Sequence, residues 1–424
     1  MKKTDRTMPS SREVYEYAFS SVPADKRKPL NSILLVLVGF CLSTSSIATG
    51  IRVGYSVSFG SALWICIAGN LVLFLCALFW GMLGCRTGYT SQHLLGAMLG
   101  RKVSLLFSGF VILAMTIWLG MNGEWLANIV FHLFSQWRIP VPVTTLLIIA
   151  VGTCCSTFGW KTLEITSKIM VPIILVVGYV IFHVNGMGIG LDAIAQYQPR
   201  GHLSASESFV LVVGNFAMSA ITIPDLCRFA KSRKAVLGCV STYFLTLTAC
   251  NLCGILIAQT IRSHSLTYSV YWMEATLPGL VCLSLCTYTT QNVNMYIGSL
   301  AYQNVLKDTS MGGNLSHKMA VLFMGGFAMV VGAMGIGSYL VAFNRFLALG
   351  AVSLTGIALI EYLMGKKRKK VNENLPLLVW LFSVAVGLAV WLWKGTGVGV
   401  LSVTVVSAST FYAITRGKDP MTVP

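Results

Sequence analysis

Runs of about twenty apolar residues recur along this chain every 30 to 40 positions. No other feature constrains its fold as much. A run of that length crosses the hydrocarbon core of a bilayer as a helix. In lipid every backbone N–H and C=O needs a partner inside the protein, so a chain of this kind spans as helices or as a closed barrel. Barrel strands would alternate apolar and polar residues with period two. These runs are continuously apolar, which points to an all-α integral membrane protein. Of the 424 residues, 55% are hydrophobic and only 11% charged, against about 25% charged in soluble domains.

Twelve transmembrane helices are expected, at 31–52, 61–83, 104–133, 141–158, 168–187, 207–227, 235–260, 275–303, 318–337, 339–363, 375–393 and 397–415. The net charge of +17 comes from 31 basic and 14 acidic residues. In a soluble chain it would suggest a nucleic-acid partner; here the basic residues sit in short loops and read as a topology signal. Lys26, Arg27 and Lys28 precede the first span, Arg86, Arg101 and Lys102 follow the second, Lys161 and Lys168 the fourth, and Arg228, Lys231, Arg233 and Lys234 the sixth. The Lys366-Lys367-Arg368-Lys369-Lys370 run follows the tenth. The opposite loops hold only Arg52, Arg138, Arg200, Arg262 and Lys394. Both termini are therefore expected in the cytoplasm, with tails 1–30 and 416–424, in a multi-pass protein of the plasma membrane. A polar stretch of 28 residues precedes the first run, so no cleavable signal peptide is expected.

Two spans are interrupted alike. The first reads Gly39-Phe40-Cys41-Leu42-Ser43-Thr44-Ser45-Ser46-Ile47-Ala48-Thr49-Gly50, and the sixth Gly214-Asn215-Phe216-Ala217-Met218-Ser219-Ala220-Ile221-Thr222-Ile223-Pro224. Ser, Thr, Asn, Gly and Pro at that depth suggest helices that break at mid-membrane. The exposed carbonyls and N–H groups are tolerated there only where they line a site. An odd and an even span cross in opposite directions. The pair therefore implies two five-helix units of inverted topology, 31–187 and 207–363, with discontinuous helices 1 and 6 and two extra helices at 375–415.

Polar side chains then mark candidates. Trp118, Asn122 and Trp125 share one face of the third span. A flat aromatic beside an amide suits stacking and edge recognition of a planar ring, or packing against a neighbouring helix. Glu124, in the same run, has an ion pair, the outer edge or a proton relay open to it. Phe216 at the sixth-span break offers a second aromatic wall. Asp225 and Arg228 read as a local ion pair or a gate contact. On the eighth span Ser284, Thr287, Gln291 and Asn294 line one face, while the Thr289 and Thr290 hydroxyls suit a small hard cation. Tyr288 and Tyr296 read as packing residues, and Cys250 and Cys253 as apolar filler. No GxSxG, no GxxxxGK[ST] and no metal-ligand cluster is present, so neither an enzyme nor a nucleotide-driven pump is expected.

These motifs resemble, in order and spacing, the nucleobase–cation symporter family (the purine–cytosine permease family). The resemblance rests on the Gly39–Gly50 run, Trp118-Leu119-Gly120 with Asn122, Val212-Val213-Gly214-Asn215-Phe216 and Tyr288-Thr289-Thr290-Gln291. Gly69-Asn70, Arg86-Thr87-Gly88 and Asn185-Gly186-Met187-Gly188 match its cytosine-carrying members. The resemblance implies the five-plus-five inverted-repeat fold and import of a planar nitrogen heterocycle with Na⁺ or H⁺. Trp118 and Phe216 would sandwich the ring, with Asn122, Asn215, Gln291 and Asn294 at its edges. Backbone carbonyls around Ser43 and the hydroxyls of Thr289 and Thr290 would hold the cation. Met115 and Cys286 depart from the cytosine-carrying pattern, the first at a substrate contact and the second near the ion. The reading is a monomeric secondary transporter with no cofactor beyond the coupling ion. Its partners are a small-molecule substrate, a cation and the lipid bilayer. An amino-acid or amine transporter of the same fold is the alternative, and a membrane receptor or integral membrane enzyme the alternative of another class.

Overall fold

The first apolar run folds as two helices rather than one. In the computed structural model, α1 (Leu30–Cys41) and α2 (Thr44–Ser56) meet at 47°. Ser43 between them is extended, at φ −115° and ψ 142°, and its side chain accepts the Ser46 N–H. Hydroxyl side chains offer the backbone partners other than the helical ladder, and Ser43 serves as the N-cap from which α2 restarts.

The structure describes residues 17–186, 194, 196–272, 276–309, 316–364 and 374–394, with scattered positions between 403 and 414. After the broken pair come α3 (Phe59–Thr87), α4 (Ser91–Leu99), α5 (Arg101–Leu133), α6 (Val141–Ser156) and α7 (Trp160–Gly186). Then follow α8 (Ala205–Thr222), α9 (Pro224–Cys227), α10 (Arg233–Ile261), α11 (Leu266–Trp272) and α12 (Thr276–Leu306). The described chain closes with α13 (His317–Ala333), α14 (Leu340–Met364) and α15 (Asn374–Lys394). Among the described residues, seven helical segments are long and apolar enough to cross a bilayer, or eight with the bent pair counted as one span. The 31-residue α12 is not among them, because Ser, Thr, Gln and Asn dilute its centre.

The expected spans up to residue 393 each meet a helix or a broken pair. The twelfth, at 397–415, is described only at scattered positions between 403 and 414, and the Lys366–Lys370 run falls outside the described residues. Helix α7 starts at Trp160 rather than near 168. Lys168 therefore lies inside a helix, four residues from Glu164, and pairs with it at 2.9 Å. The short helices α4 and α11 were not expected; neither is long enough to span, and each fills a connection.

Close crossings set the broken helix in place. A Cβ on Gly50 would lie 2.1 Å from the Asn251 carbonyl oxygen, and one on Gly254 would lie 2.2 Å from that of Ile47. Only backbone-to-backbone contact fits there, so α2 and α10 touch without intervening side chains.

One end of the bundle gathers the basic loops and is strapped by the N-terminal segment. Val22 N–H donates to the Gly88 carbonyl at 3.0 Å and Lys28 N–H to that of Phe229 at 2.6 Å. The Arg27 guanidinium donates to the Cys85 carbonyl at 2.8 Å, and Lys28 pairs with Glu164. This is called the basic end below.

Candidate functional site

Both interrupted spans break where their sequences suggest, and the breaks meet. In α8, Phe216 leaves helical geometry at φ −123° and ψ 15°. The Asn215 amide beside it donates to the Ser46 hydroxyl of the first break at 3.3 Å. The Phe216 ring lies 5.3 Å from that of Phe40 and 5.9 Å from that of Tyr243. Tyr243 O–H also donates to the Phe216 carbonyl at 3.3 Å, which occupies a backbone acceptor at the kink. Two polar breaks and three aromatic rings thus share one buried core.

The first break is also fastened from α10 and α3. Asn251 donates its amide to the Ser46 carbonyl at 2.9 Å, and Asn70 donates to Asn251 Oδ1 at 2.9 Å. A freed carbonyl at this depth needs such a partner. Reading α10 as filler around two cysteines misses Asn251, although an Asn inside an apolar run was the available signal.

Helix α12 brings hydroxyls to the same break. Thr290 donates to the Phe40 carbonyl at 3.3 Å, and Thr287 meets Thr44 at 3.0 Å. A Cβ on Gly39 would be tightest against Val171 of α7, at 3.1 Å, and would meet the Thr289 Cβ at ordinary contact, 3.5 Å. Thr289 itself donates to its own helix, to the Leu285 and Cys286 carbonyls, each at 3.0 Å. Ser43 Oγ lies 2.8 Å from Ser46 Oγ and 3.0 Å from Ser45 Oγ. The donor set is neutral oxygen throughout, the chemistry of a small hard cation. Among the described residues, no three of His, Cys, Asp and Glu gather as ligands for a metal ion.

Helix α5 supplies Trp118 and Asn122, both buried. The Trp118 indole stands edge-on to Phe343 of α14, with ring centroids 5.3 Å apart. Asn122 donates Nδ2 to the Trp118 carbonyl one turn back at 2.8 Å. That contact fixes which way the amide points, and leaves Oδ1 buried without a partner, as is Oδ1 of Asn215. A buried acceptor left unpaired is destabilising by roughly 1–3 kcal/mol, and each of these two is open to an N–H donor.

Gln291 turns toward α6. Its Oε1 would lie 2.3 Å from a Cβ on Gly152. It lines a cavity of about 390 Å³ with Leu126, Ile148, Met170, Ser284 and Thr287. Asn294 is buried on the same helix. The Glu124 carboxylate takes a backbone partner, accepting the Gly337 N–H at 2.6 Å.

Asp225 and Arg228 close the basic end, by a different route from a simple pair. The Asp225 carboxylate accepts the Ser91 N–H at 2.7 Å and the Ser91 O–H at 2.9 Å. Arg228, wholly buried, donates to the Tyr17 carbonyl at 2.8 Å and to the Tyr296 hydroxyl at 2.9 Å. Tyr296 therefore does more than pack. Trp160 seals the same place, 4.4 Å from the Phe229 ring and 5.8 Å from that of Tyr296.

Comparison with known proteins bears on the family and the fold. The family described as permeases for cytosine/purines, uracil, thiamine and allantoin matches residues 22–375. Cytosine permease of Escherichia coli (strain K12) is 27% identical over 387 residues, 88% of each chain. Among solved structures, Mhp1, a nucleobase-cation-symport-1 family transporter in a closed conformation with bromovinylhydantoin bound, superposes with a TM-score of 0.79. That match is 13% identical and covers 94% of this chain and 95% of the other. A Na⁺-coupled sialic acid symporter gives a TM-score of 0.61 at 13% identity, covering 92% and 90%. At such identities the likeness is one of fold.

Proposed function

The chain belongs to the family of permeases for cytosine/purines, uracil, thiamine and allantoin, and from that premise we propose that it imports a cytosine-like nucleobase or related planar nitrogen heterocycle together with a cation. It is a multi-pass membrane transporter and not an enzyme. The observation that carries the finer reading is the meeting of the two breaks, through Asn215–Ser46 and Phe216–Phe40.

In this reading Trp118 and Phe216 stack on the two faces of the ring. Asn122 and Asn215 accept N–H groups from its edge, and Gln291 and Asn294 are supplied by α12. The unpaired Oδ1 atoms of the two asparagines support an edge rich in donors. The coupling cation is Na⁺, held at the first break by carbonyls next to Ser43 and by Thr289 and Thr290. Substrate and ion then share helices α1 and α2, so each raises the affinity for the other by linkage. Alternating access proceeds between two five-helix units, 31–187 and 207–363, of inverted topology within twelve spans, the last two at 375–415. The basic end faces the cytoplasm with both termini, in the plasma membrane, and the monomer is the working unit.

The test is uptake of radiolabelled cytosine into proteoliposomes of the full chain. Trp118→Ala should insert normally and lose saturable uptake, because one stacking wall is gone. Wild-type kinetics in that variant would refute the aromatic slot.

A further inference from the structure

Behind the Arg228–Tyr296 contact lies a histidine that the transport reading does not use. His317 begins α13 and is only 4% exposed. Its Nε2 lies 3.2 Å from the Ser156 carbonyl oxygen of α6. Its Nδ1 lies 2.7 Å from the Ser299 hydroxyl of α12. Ser299 in turn donates to the Tyr296 carbonyl at 2.8 Å.

Counting hydrogens separates the two charge states of the ring. A carbonyl only accepts, so Nε2 must carry a proton. A hydroxyl has one hydrogen, and that of Ser299 has two acceptors within reach, the Tyr296 carbonyl and Nδ1 of a neutral ring. Where it goes to the carbonyl, Ser299 can only accept from Nδ1. All three bonds together require a proton on both ring nitrogens. In the neutral ring Nδ1 becomes an acceptor, so Ser299 turns its hydrogen to the ring and releases the Tyr296 carbonyl.

We propose that His317, Ser299 and Ser156 form a proton-binding site whose occupied form ties α6, α12 and α13 together behind the closed basic end. The groups around it fit that role. On α12, Tyr296 is 6.5 Å from the imidazole by ring centroids and takes the Arg228 guanidinium on its hydroxyl. On α6, the Ser156 hydroxyl donates to Asn292 Oδ1. On α13, the Lys318 ammonium sits over the Phe158 ring at 5.8 Å. On α7, Glu164 is turned to Lys28, Ser32 and Lys168, and on α5 Arg101 pairs with Asp308 and Asn304. The hydrogen bonds to Ser156 and Ser299 hold the proton.

The site stands on hydrogen-bond geometry; only its effect on transport rests on the proposed function. Burial pulls the His317 imidazole down to about 4, so the direct test is histidine ring NMR of the full chain in detergent between pH 3.5 and 8, with the His317 signal identified by its loss in His317→Gln and again in His317→Asn. The signal should titrate within that range. Ser299→Ala removes the bond that the protonated ring keeps in full, so the midpoint should fall by at least about half a pH unit, a threefold weaker proton affinity. A signal that does not titrate, or an unmoved midpoint in Ser299→Ala, would overturn the proposal. Uptake of radiolabelled cytosine at equal pH on both sides should change across that midpoint in the wild type and stay flat in His317→Gln; a pH profile unaltered in His317→Gln counts against it. Failure of the wild type to take up cytosine would concern the substrate alone and leave the NMR midpoint to decide.

Discussion

Asn122 shows how one side chain is committed before any ligand arrives. Its donor goes to the carbonyl one turn back, and its acceptor stays buried and unpartnered. In the proposed site that acceptor would take a ligand N–H and would disfavour an edge made only of acceptors. Asn122→Ala should therefore weaken substrate binding by roughly 1–3 kcal/mol, the range for a buried hydrogen bond with one partner removed. An unshifted dissociation constant would mean that Oδ1 faces elsewhere. The residue types at these positions were legible from sequence, because Trp, Asn and Phe in apolar runs demand a reason. Their neighbours were not. Phe40, Tyr243 and Phe343 are ordinary membrane residues until folding sets them against Phe216 and Trp118. Tyr296 reads as packing for the same reason: its partner Arg228 is 68 positions away.

At the scale of elements, the broken helix and α12 act as a pair. Thr290 reaches the Phe40 carbonyl across 250 positions of sequence, and Thr287 reaches Thr44 across 243. A cation held among these oxygens draws the break and α12 together, which is how its binding would shape the slot. Thr289→Ala with Thr290→Ala should remove stimulation of uptake by Na⁺ while leaving the fold intact. Unchanged Na⁺ dependence would refute the ion site. The breaks themselves were legible, since clustered Ser, Thr, Gly and Asn stand out against Leu and Val at a depth where irregular backbone is rare. Helices α4 and α11 were not, being short pieces in connections where neither length nor periodicity gives a signal. The start of α7 was misplaced because Lys161 and Lys168 read as loop charges, whereas Lys168 and Glu164 form an exposed i,i+4 pair on the helix.

For the whole molecule, the basic end is strapped from outside by residues 17–29 and locked from inside by Arg228. That cation is wholly buried and spans from the Tyr17 carbonyl to the Tyr296 hydroxyl. Removing it takes away the guanidinium that joins the two. Arg228→Ala should loosen the strap, and limited trypsin digestion at Lys26 and Arg27 should quicken; an unchanged cleavage rate would show that the strap is held by its other contacts. Alternating basic loops made the clustering of charge at one end foreseeable, but the strap rests on backbone hydrogen bonds that no pattern of residue types reports. The central claim is that the two breaks form one site for a planar nitrogen heterocycle and a cation. It is tested most directly by thermal unfolding of the purified chain with cytosine, uracil, adenine, hydantoin and allantoin, each with and without Na⁺. Binding to the folded state raises the melting temperature by mass action. At least one of these rings should raise it, and by more when Na⁺ is present; no shift with any of them in either condition, from a protein that unfolds cooperatively, would contradict the account.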